Sequence, residues 1–596
     1  MANVMTMKKL QNKTSRNGFD LSRKNIFTAK LGELLPVACI ECIPGDTFDI
    51  KTQHFTRTRP VNTAAYTRIR EYYDWFFVPT NLLWNKFNTF VTQMGNNNQQ
   101  AVSINDSSTT GDHHPFISRQ ELINYLYNQH TQGSSGSRLN LFGYQRLECS
   151  CKLLEYLDYG HWFNSLGNPI NPETYQDDVA LNPFPLLAYQ KIYSDYFRNS
   201  QWEDAYAPAF NINYMSGSTR SEMKLPISSM SIFSPYNMFD LHYCNWHKDY
   251  FMGLLPNSQY GDAASVNISS LLSSFNPTSN FVIKSDSSTS GDVTTSSGGF
   301  LTNGTSNNWS LTASGVDKIA ASLGINQGSL IGAFSILALR NAEAMQKWAE
   351  ITQSQQQDYQ SQVDAHFGVK VSDAYSERCT WIGGDDSTIN IDEVVNNNIT
   401  EANDAAIAGK GIGAGEGFSK FETKVHGYLM CIYHAVPLLE YSLSGIPKQN
   451  LKTTVTDYAI PEFDKTGMVS VPLQELYSKL SDEEALDDNL PDLLGYAPRY
   501  YDYKTSYDRV HGGFNFSNAF GAWVAPVSSE YLVRQMLNAG GNQGSINYGF
   551  FKVNPAFLNP IFDSDVDNTL STDQFLINSY FDIKAVRNLD RDGLPY

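Results

Sequence analysis

The chain has 596 residues and a formal net charge of −18, and only 17% of its residues are charged. No run of about eighteen apolar residues is present, and the N-terminal residues lack the apolar stretch of a secretory signal, so we expect neither a membrane-spanning helix nor export. The seven cysteines are a sparse and odd set, which argues against a disulfide framework and predicts free thiols.

The first strand predictions lie in the N-terminal hundred residues. Leu35–Ile43 and Thr47–Lys51 flank Pro44-Gly45-Asp46, a turn sequence of the kind that joins two strands. Tyr72–Val78 is apolar and aromatic at successive positions and is followed by Pro79. That pattern predicts a strand that is buried on both faces.

Helices are predicted at three places. A short helix is expected around Leu82–Val91 and another over Arg119–Gln129. The longest prediction is one continuous helix from Phe334 to about Gln362, where apolar residues recur at helical spacing.

The sequence from residue 257 onward predicts further strands and long loops. Phe421–Val436, Ala519–Pro526 and Gly549–Pro555 are apolar, aromatic or β-branched and are expected to be strands. Residues 257–315 are rich in Ser, Asn, Thr and Gly, and we predict an exposed insertion there, because such a composition cannot build a core. Asn396–Gly417 is likewise predicted to be a loop, so the chain is expected to form one β-core with large insertions.

Patterns typical of catalysis are missing. The glycine run 409–417 places Lys410 before the later glycines and has no Ser or Thr after it, so it fails the phosphate-loop pattern and predicts a mobile hinge or loop. Asp112-His113-His114, or His242 with His247, lack the further ligands of a metal site. We therefore predict no catalytic residues, no metal and no cofactor; paired carboxylates brought together by the fold stay possible at this point.

Charge and aromatic content point to assembly around nucleic acid. Residues 1–70 carry a net charge of +7 and the rest of the chain −25, as in a shell whose basic arms neutralise phosphate inside. Aromatic residues make up 13% of the chain, and charge-poor, aromatic-rich surfaces are typical of subunit interfaces. We place this basic arm at residues 1–30. The alternative is that these residues form an ordinary solvated terminus without a nucleic-acid partner. The cations predicted to contact DNA are Lys8, Lys9, Lys13, Arg16, Arg23, Lys24 and Lys30.

Several specific sequence blocks are distributed along the whole chain, and they include Arg16–Ser22, Phe27–Pro36, Ile43–Asp46, Phe55–Tyr66, Arg68–Asp74, Phe77–Pro79, Gly427–Met430, Tyr433–Ala435, Leu494–Tyr500 and Phe575–Arg587. These blocks resemble the major capsid proteins of the Microviridae, and most closely those of gokushovirus-like phages and their relatives from Bacteroides-type hosts. No resemblance is found within residues 257–315.

The resemblance implies a mainly β fold, a viral antiparallel jelly roll of about eight strands that spans residues 1–596 with long insertions and a few helices. It implies a T=1 icosahedral shell of about sixty copies around circular single-stranded DNA. The expected partners are the chain itself, the DNA, a minor pilot-type protein, a small basic DNA-binding protein, a scaffolding protein during assembly and a host surface receptor. The expected location is the virion, assembled in the bacterial cytoplasm.

Two other functions are compatible with the composition alone. The first is a secreted β-sandwich that binds a surface or a carbohydrate, which would require export. The second is a carbohydrate-active enzyme on a β-scaffold, which would require two carboxylates in an open cleft. The resemblance favours the structural, non-enzymatic capsid protein.

Overall fold

The structure is a computed structural model of the full chain. It describes residues 16–92, 114–131, 139–163, 169–173, 179–215, 224–227, 237–262, 264, 300–302, 309–311, 336–395, 407–478, 492–515, 520, 523–528, 531–532, 546, 548–562 and 572–591. None of the helices in these ranges combines the length and the apolar character that crossing a membrane requires.

The chain divides into two compact units. One comprises Met1–Ser258 together with Gln356–Tyr596, and the other is Gln259–Gln355. The second unit contains a helix over Ile336–Ser354 and a small hairpin that pairs Phe300–Thr302 with Trp309–Leu311. The predicted insertion at 257–315 lies mostly outside the described residues and stays a prediction.

An antiparallel sheet of nine strands dominates the first unit in the described part of the chain. The strands are β1 Asn17–Asp20, β2 Arg23–Ala29, β3 Leu35–Cys42, β4 Thr47–Thr58, β5 Ile69–Pro79, β6 Thr380–Val395, β7 Ile407–Glu422, β8 Gly427–Pro437 and β9 Phe575–Arg587. Their hydrogen-bonded order is β9–β4–β7–β6–β5–β8–β3, and β1 and β2 both pair with the free side of β9.

The sheet curls so that distant strands face each other across a core. Strands β4 and β5 are separated by β7 and β6 in the hydrogen-bonded order, yet Trp75 Nε1 on β5 donates to Thr52 Oγ1 on β4 at 3.1 Å. Tyr73 on β5 likewise shares a 2.8 Å hydrogen bond with Ser579 on β9, and the Trp75 ring meets Phe581 edge-on at 5.7 Å. These contacts require the concave face to enclose the core.

Side chains alternate along the strands between the enclosed face and the outer face of the sheet. Along β9 the inward positions from Phe575 to Ala585 are buried and the outward ones are exposed or half-buried, and β4 follows the same period of two. Strand β8 is buried at every position, because elements also cover its outer face. The predicted mainly β, antiparallel fold class is therefore confirmed.

Helices and short strands fill the connections. The helices are α1 Thr80–Leu83, α2 Phe87–Thr92, α3 Arg119–Thr131, α4 Arg146–Tyr156, α5 Phe184–Ile192, α6 Ile336–Ser354, α7 Tyr359–Phe367 and α8 Tyr501–Lys504, and a π-helical turn Tyr193–Phe197 extends α5. Short strand pairs join Ile117–Ser118 to Ala180–Leu181, Tyr441–Ser442 to Val527–Ser528, and Met468–Pro472 to Leu493–Pro498. Further 3-10 turns are Ala207–Ala209, Ile212–Tyr214, Lys448–Asn450, Val455–Asp457, Pro461–Phe463, Leu473–Glu475, Gly512–Phe514, Tyr548–Phe551 and Pro555–Leu558.

Several element predictions need correction. The predicted strand Phe421–Val436 is two strands, because β7 ends at Glu422 and β8 begins at Gly427. Gly549–Pro555 is not a strand, since two 3-10 turns occupy the region. In the described part of Ala519–Pro526 no strand forms, and the short strand begins at Val527.

The prediction of one continuous helix over Phe334–Gln362 is also wrong, because this segment forms two helices. Helix α6 ends at Ser354, and α7 starts anew after Asp358, whose side chain accepts a hydrogen bond from Ser361 N and caps the helix. The apolar side chains of Leu337, Met345 and Trp348 are exposed, so helical spacing of apolar residues did not mark a core here.

Candidate assembly and nucleic-acid surfaces

A polar cluster lies on the concave face of the sheet. His54 Nε2 on β4 lies 2.9 Å from Ser387 Oγ on β6 and 3.3 Å from Glu71 Oε1 on β5. Ser387 Oγ donates to Glu71 Oε1 at 2.7 Å, and Thr56 Oγ1 donates to Glu71 Oε2 at 2.6 Å. Asp385 Oδ2 is 3.5 Å from His54 Nδ1, and burial raises the pKa of the Asp385 carboxyl. Three strands are thus joined around one carboxylate.

This histidine–carboxylate pair resembles catalytic pairs only in composition. The side chains of His54 and Glu71 are completely shielded from solvent, and their partners are side chains of neighbouring strands. A substrate cannot reach them, so the arrangement stabilises the packing of the sheet.

The glycine run predicted to be a loop is strand β7, and that prediction was wrong. Strand β7 pairs with β4 from Ile412–Arg57 to Glu422–Thr47. A Cβ added at Gly413 would lie 2.6 Å from Glu71 Oε1, and one at Gly415 would lie 2.5 Å from His54 Cε1. Alternate glycines therefore leave room on the concave face for the polar cluster.

A second buried cluster contains four charges. Lys152 Nζ on α4 donates to Glu33 Oε2 at 2.6 Å and to Asp573 Oδ2 at 2.9 Å, and Lys30 Nζ lies 3.7 Å from Asp573 Oδ1. Burial alone would lower the pKa of Lys152, but the carboxylates of Glu33 and Asp573 outweigh it and hold that pKa above its usual value. The cluster ties the N-terminal segment to the C-terminal strand region.

The cations predicted to contact DNA are placed unequally. Lys8, Lys9 and Lys13 lie outside the described residues. Residues 17–29 of the predicted arm form β1 and β2, where Arg23 and Lys24 are exposed. They line a cavity of about 440 Å³ beside α4 and β3. Arg23 and Lys24, which are neighbours in the sequence, thus lie on β2 at one edge of the sheet.

The other two predicted cations already have partners. Arg16 Nη2 donates to Gly45 O at 2.7 Å and to Thr47 Oγ1 at 3.1 Å, while its side chain stays exposed. Lys30 is 6% exposed and belongs to the buried cluster. The position of Lys30 does not support a phosphate contact.

The convex face of strands β4, β7 and β9, with β1 and β2 beside them, is open and mixed in character. Toward one end, ion pairs connect neighbouring strands: Lys51 with Glu416, Lys420 with Asp49 at 3.1 Å, and Lys584 with Asp20 at 2.8 Å. Toward the other end the exposed side chains are largely apolar, and they are Ile26, Phe55, Ile412, Leu576 and Tyr580. The interface predicted from the aromatic composition thus has exposed apolar surface available.

Of the histidines considered for a metal site, His114, His242 and His247 are described and have other surroundings, while Asp112 and His113 lie outside the described residues. His242 stacks on Tyr193 at 3.6 Å and bonds to Gln190, His247 Nε2 lies 3.2 Å from Tyr72 OH, and His114 packs edge-on against Phe184. Within the described ranges no group of three or more His, Cys, Asp or Glu side chains could hold a metal ion. All seven cysteines are free, as predicted.

The buried carboxyl of Asp240 should make the stability of the folded chain depend on pH. Its carboxyl lies 3.9 Å from Arg146 Nη1, and burial raises its pKa to about 7 from 3.8. Because the folded pKa is raised, ionisation costs stability as pH rises from about 4 through 7. Asp240→Asn should therefore be more stable than the wild type at pH 8, by on the order of 2 kcal/mol, with no advantage near pH 4. Thermal midpoints of the unassembled chain across this range provide the measurement.

Asp20 supplies the control of opposite sign. Its hydrogen bonds with Lys584 and Ser22 hold the pKa of Asp20 below its usual range, so its charged form is favoured in the folded state above about pH 4. Asp20→Asn should leave the thermal midpoint at pH 8 unchanged or slightly lower and should not raise it, because exposed ion pairs contribute little to stability. Parallel pH profiles for the Asp240→Asn variant and the wild type would contradict the assignment.

Sequence reasoning missed both buried clusters. His54, Glu71 and Asp385 belong to three different strands, and Glu33 and Asp573 lie 540 positions apart. A polar residue at an inward position of an alternating strand, as His54 is on β4, was the one signal available. Its partners become visible only with the strand order.

Comparisons with known proteins find similar sequences over most of the chain. A model of the family described as capsid protein (F protein) matches residues 8–111 and 171–594. The chain is 23% identical to capsid protein VP1 of Chlamydia phage 1, over 97% of this chain and 95% of that relative. It is also 23% identical to capsid protein VP1 of Bdellovibrio phage phiMH2K, over 88% and 87% of the two chains.

Proposed function

This chain belongs to the capsid protein (F protein) family, and from that premise we propose that about sixty copies form a T=1 icosahedral shell around circular single-stranded DNA. Its role as a major capsid protein of Microviridae type, a structural and non-enzymatic component of the virion that assembles with itself, follows from family membership. Membership also decides against the secreted sandwich and the carbohydrate-active enzyme considered from composition.

The uneven distribution of charge along the sequence is the observation that supports a shell filled with DNA. A net of +7 on residues 1–70 against −25 on the rest gives each subunit a basic N-terminal segment suited to phosphate. Contacts of this kind bind without regard to sequence and weaken as salt rises, because counterions return to the DNA. Lys8, Lys9, Lys13, Arg16, Arg23 and Lys24 are the cations we propose for these contacts.

The proposal also includes partners other than the chain itself and the DNA. A minor pilot-type protein and a small basic DNA-binding protein would accompany the shell, and a scaffolding protein would guide assembly in the bacterial cytoplasm. The insertion at 257–315 would be an exposed part of the single jelly-roll subunit and would meet a host surface receptor. Its polar composition, which tolerates solvent on all sides, supports that role.

Neutralising the six proposed cations tests the DNA contacts. A variant with all six changed to glutamine should bind an oligo-dT strand more weakly than the wild type. The slope of log affinity against log salt should fall by up to about four, since each single-stranded phosphate contact contributes about 0.7. Filter binding of the purified chain at several salt concentrations measures both quantities.

Lys347 and Lys465 provide the matched control, because both are exposed and lie outside the basic arm. Changing them to glutamine should leave the salt slope within the error of the wild type. An arm variant with the wild-type affinity and slope would contradict the proposed DNA interface.

A further inference from the structure

Asn245 and Lys552 lie directly opposite each other in a short antiparallel contact. An isolated β-bridge joins them, and the backbone hydrogen bonds on either side, at 2.9 and 3.0 Å, are made by the residues that precede and follow them. Asn245 and Lys552 are therefore a non-hydrogen-bonded pair, in which Cα atoms are only about 4.5 Å apart and both side chains leave the same face. Two residues that are far apart in the sequence thus project their side chains from adjacent points.

Both side chains reach the same backbone oxygen. Asn245 Nδ2 donates to Phe197 O at 2.7 Å, and Lys552 Nζ donates to that oxygen at 3.3 Å. The two side-chain nitrogens can therefore be at most about 6 Å apart, the distance allowed by two hydrogen bonds to one acceptor. The amine of Lys552 and the carboxamide of Asn245 are held side by side.

The carboxamide of Asn245 has only one possible orientation. Its nitrogen must face Phe197 O, because a carbonyl oxygen accepts hydrogen bonds and cannot donate one. Asn245 Oδ1 then points away, where it is buried and has no hydrogen-bond partner among the described residues. A buried polar atom without a partner is uncommon and needs an explanation. Packing alone does not explain an asparagine that uses only one end of its amide.

A carboxylate lies beside the lysine amine. Glu203 Oε2 is 3.4 Å from Lys552 Nζ, and the two side chains are only 4% and 3% exposed. Tyr193 OH accepts from Lys552 Nζ at 2.8 Å and donates to the two oxygens of Glu203 at 2.6 and 2.8 Å. Glu203 can therefore receive a proton from the amine, either directly or through the Tyr193 hydroxyl.

The surroundings of Lys552 favour a reactive amine. Lys552 Nζ lies 4.7 Å from the centre of the Tyr193 ring, and burial lowers the pKa of Lys552 although the carboxylate of Glu203 acts in the opposite direction. A lowered pKa favours the neutral amine, which is the form that attacks a carbonyl carbon. The exclusion of water also limits hydrolysis of the carboxamide as a competing reaction.

We propose that Lys552 and Asn245 form an isopeptide bond within each folded chain. Lys552 Nζ attacks Asn245 Cγ, a new C–N bond forms, and the bond from Cγ to Nδ2 breaks. The ammonium group of Lys552 loses two protons and Nδ2 gains two, with Glu203 as the carrier, so the leaving group departs as ammonium. The step needs no oxidant, reductant or cofactor.

The bond would form once in each chain and would turn over no substrate, so it is compatible with a non-enzymatic capsid protein. It would close a long loop of the chain between its two ends. A cross-link of this kind restricts the unfolded state and thereby stabilises the fold.

The intact mass of the denatured wild-type chain tests the bond. The linked chain should weigh about 17 Da less than its sequence mass, because one ammonia is lost when the lysine amine displaces it. Mass spectrometry of a proteolytic digest should also find a branched peptide that contains Asn245 and Lys552. A wild-type chain with its full sequence mass, or without the branched peptide, would overturn the proposal.

Two variants identify the reacting groups, each compared with its own sequence mass. Lys552→Arg keeps the positive charge and removes the attacking amine, so it should show no deficit. Glu203→Gln keeps the shape of the side chain and removes the proton carrier, so the linked fraction after a fixed time should fall about tenfold or more. A deficit that persists in Lys552→Arg would come from another reaction and would contradict the proposal.

Lys584→Arg is the matched control, because Lys584 is an exposed lysine on the convex face. This variant should keep the full mass deficit of the wild type. The wild-type mass and its branched peptide decide the outcome, so a variant that fails to fold does not obscure the result.

Discussion

Replacing Lys152 by methionine is expected to destabilise the unassembled chain by about 3–5 kcal/mol, the cost of breaking a buried ion pair from one side. Lys152 is almost fully buried between Glu33 and Asp573. Methionine has a similar length and no charge, so both carboxylates would lose their main cation, and Lys30 at 3.7 Å from Asp573 would compensate only in part. Urea unfolding followed by tryptophan fluorescence measures the change.

Lys584→Met is the matched control. Lys584 bonds to Asp20 and Asp582 on the open convex face, with its side chain 55% exposed. Exposed ion pairs contribute at most about 1 kcal/mol, so this variant should unfold close to the wild-type midpoint. Equal losses for the two lysine variants would contradict a special role for the buried cluster.

Adding one methyl group to the glycine strand should also be costly. In Gly415→Ala the new Cβ would lie 2.5 Å from His54 Cε1 and 3.0 Å from Asp385 Oδ2, far inside normal contact distance. Both neighbours are held by strands on either side, so the conflict cannot relax freely. A loss of about 1–3 kcal/mol is expected from this overpacking, and thermal unfolding of the unassembled chain measures it.

Two comparisons sharpen this second prediction. At Gly18 on β1 an added Cβ would have no atom within 4 Å, so Gly18→Ala should be neutral or slightly stabilising, because alanine restricts the unfolded chain. Combining Gly415→Ala with His54→Ala removes the clashing ring, so the double variant should lose less stability than the sum of the two single losses. Strict additivity would mean that the glycine does not make room for His54.

Strands with long apolar runs were predictable from the sequence, because consecutive apolar residues indicate a strand that is buried on both faces. The predicted Leu35–Ile43 corresponds to β3 at Leu35–Cys42, and Tyr72–Val78 lies within β5. The turn at Gly45 was also predictable, since its φ of 90° suits glycine. Helix α3 matches the predicted Arg119–Gln129 to within two residues.

Strand β7, which contains the glycine run 409–417, could not be predicted. The side chains that require glycine there belong to other strands. Glycine usually signals a turn, and nothing near residues 409–417 in sequence reveals that Glu71 and His54 need the space. Lys30 was misjudged for a similar cause: a cation near a basic terminus looks free until its partner, 543 positions away, is placed beside it. Long-range pairing decided both cases.

The central claim, that this chain builds a closed shell, is tested most directly by electron microscopy and sedimentation of the purified full-length protein. The proposed shell predicts uniform closed particles of roughly 4 MDa, about sixty times the 66.8 kDa chain. A chain that stays monomeric at high concentration across a range of salt, or that forms only irregular aggregates, would contradict it.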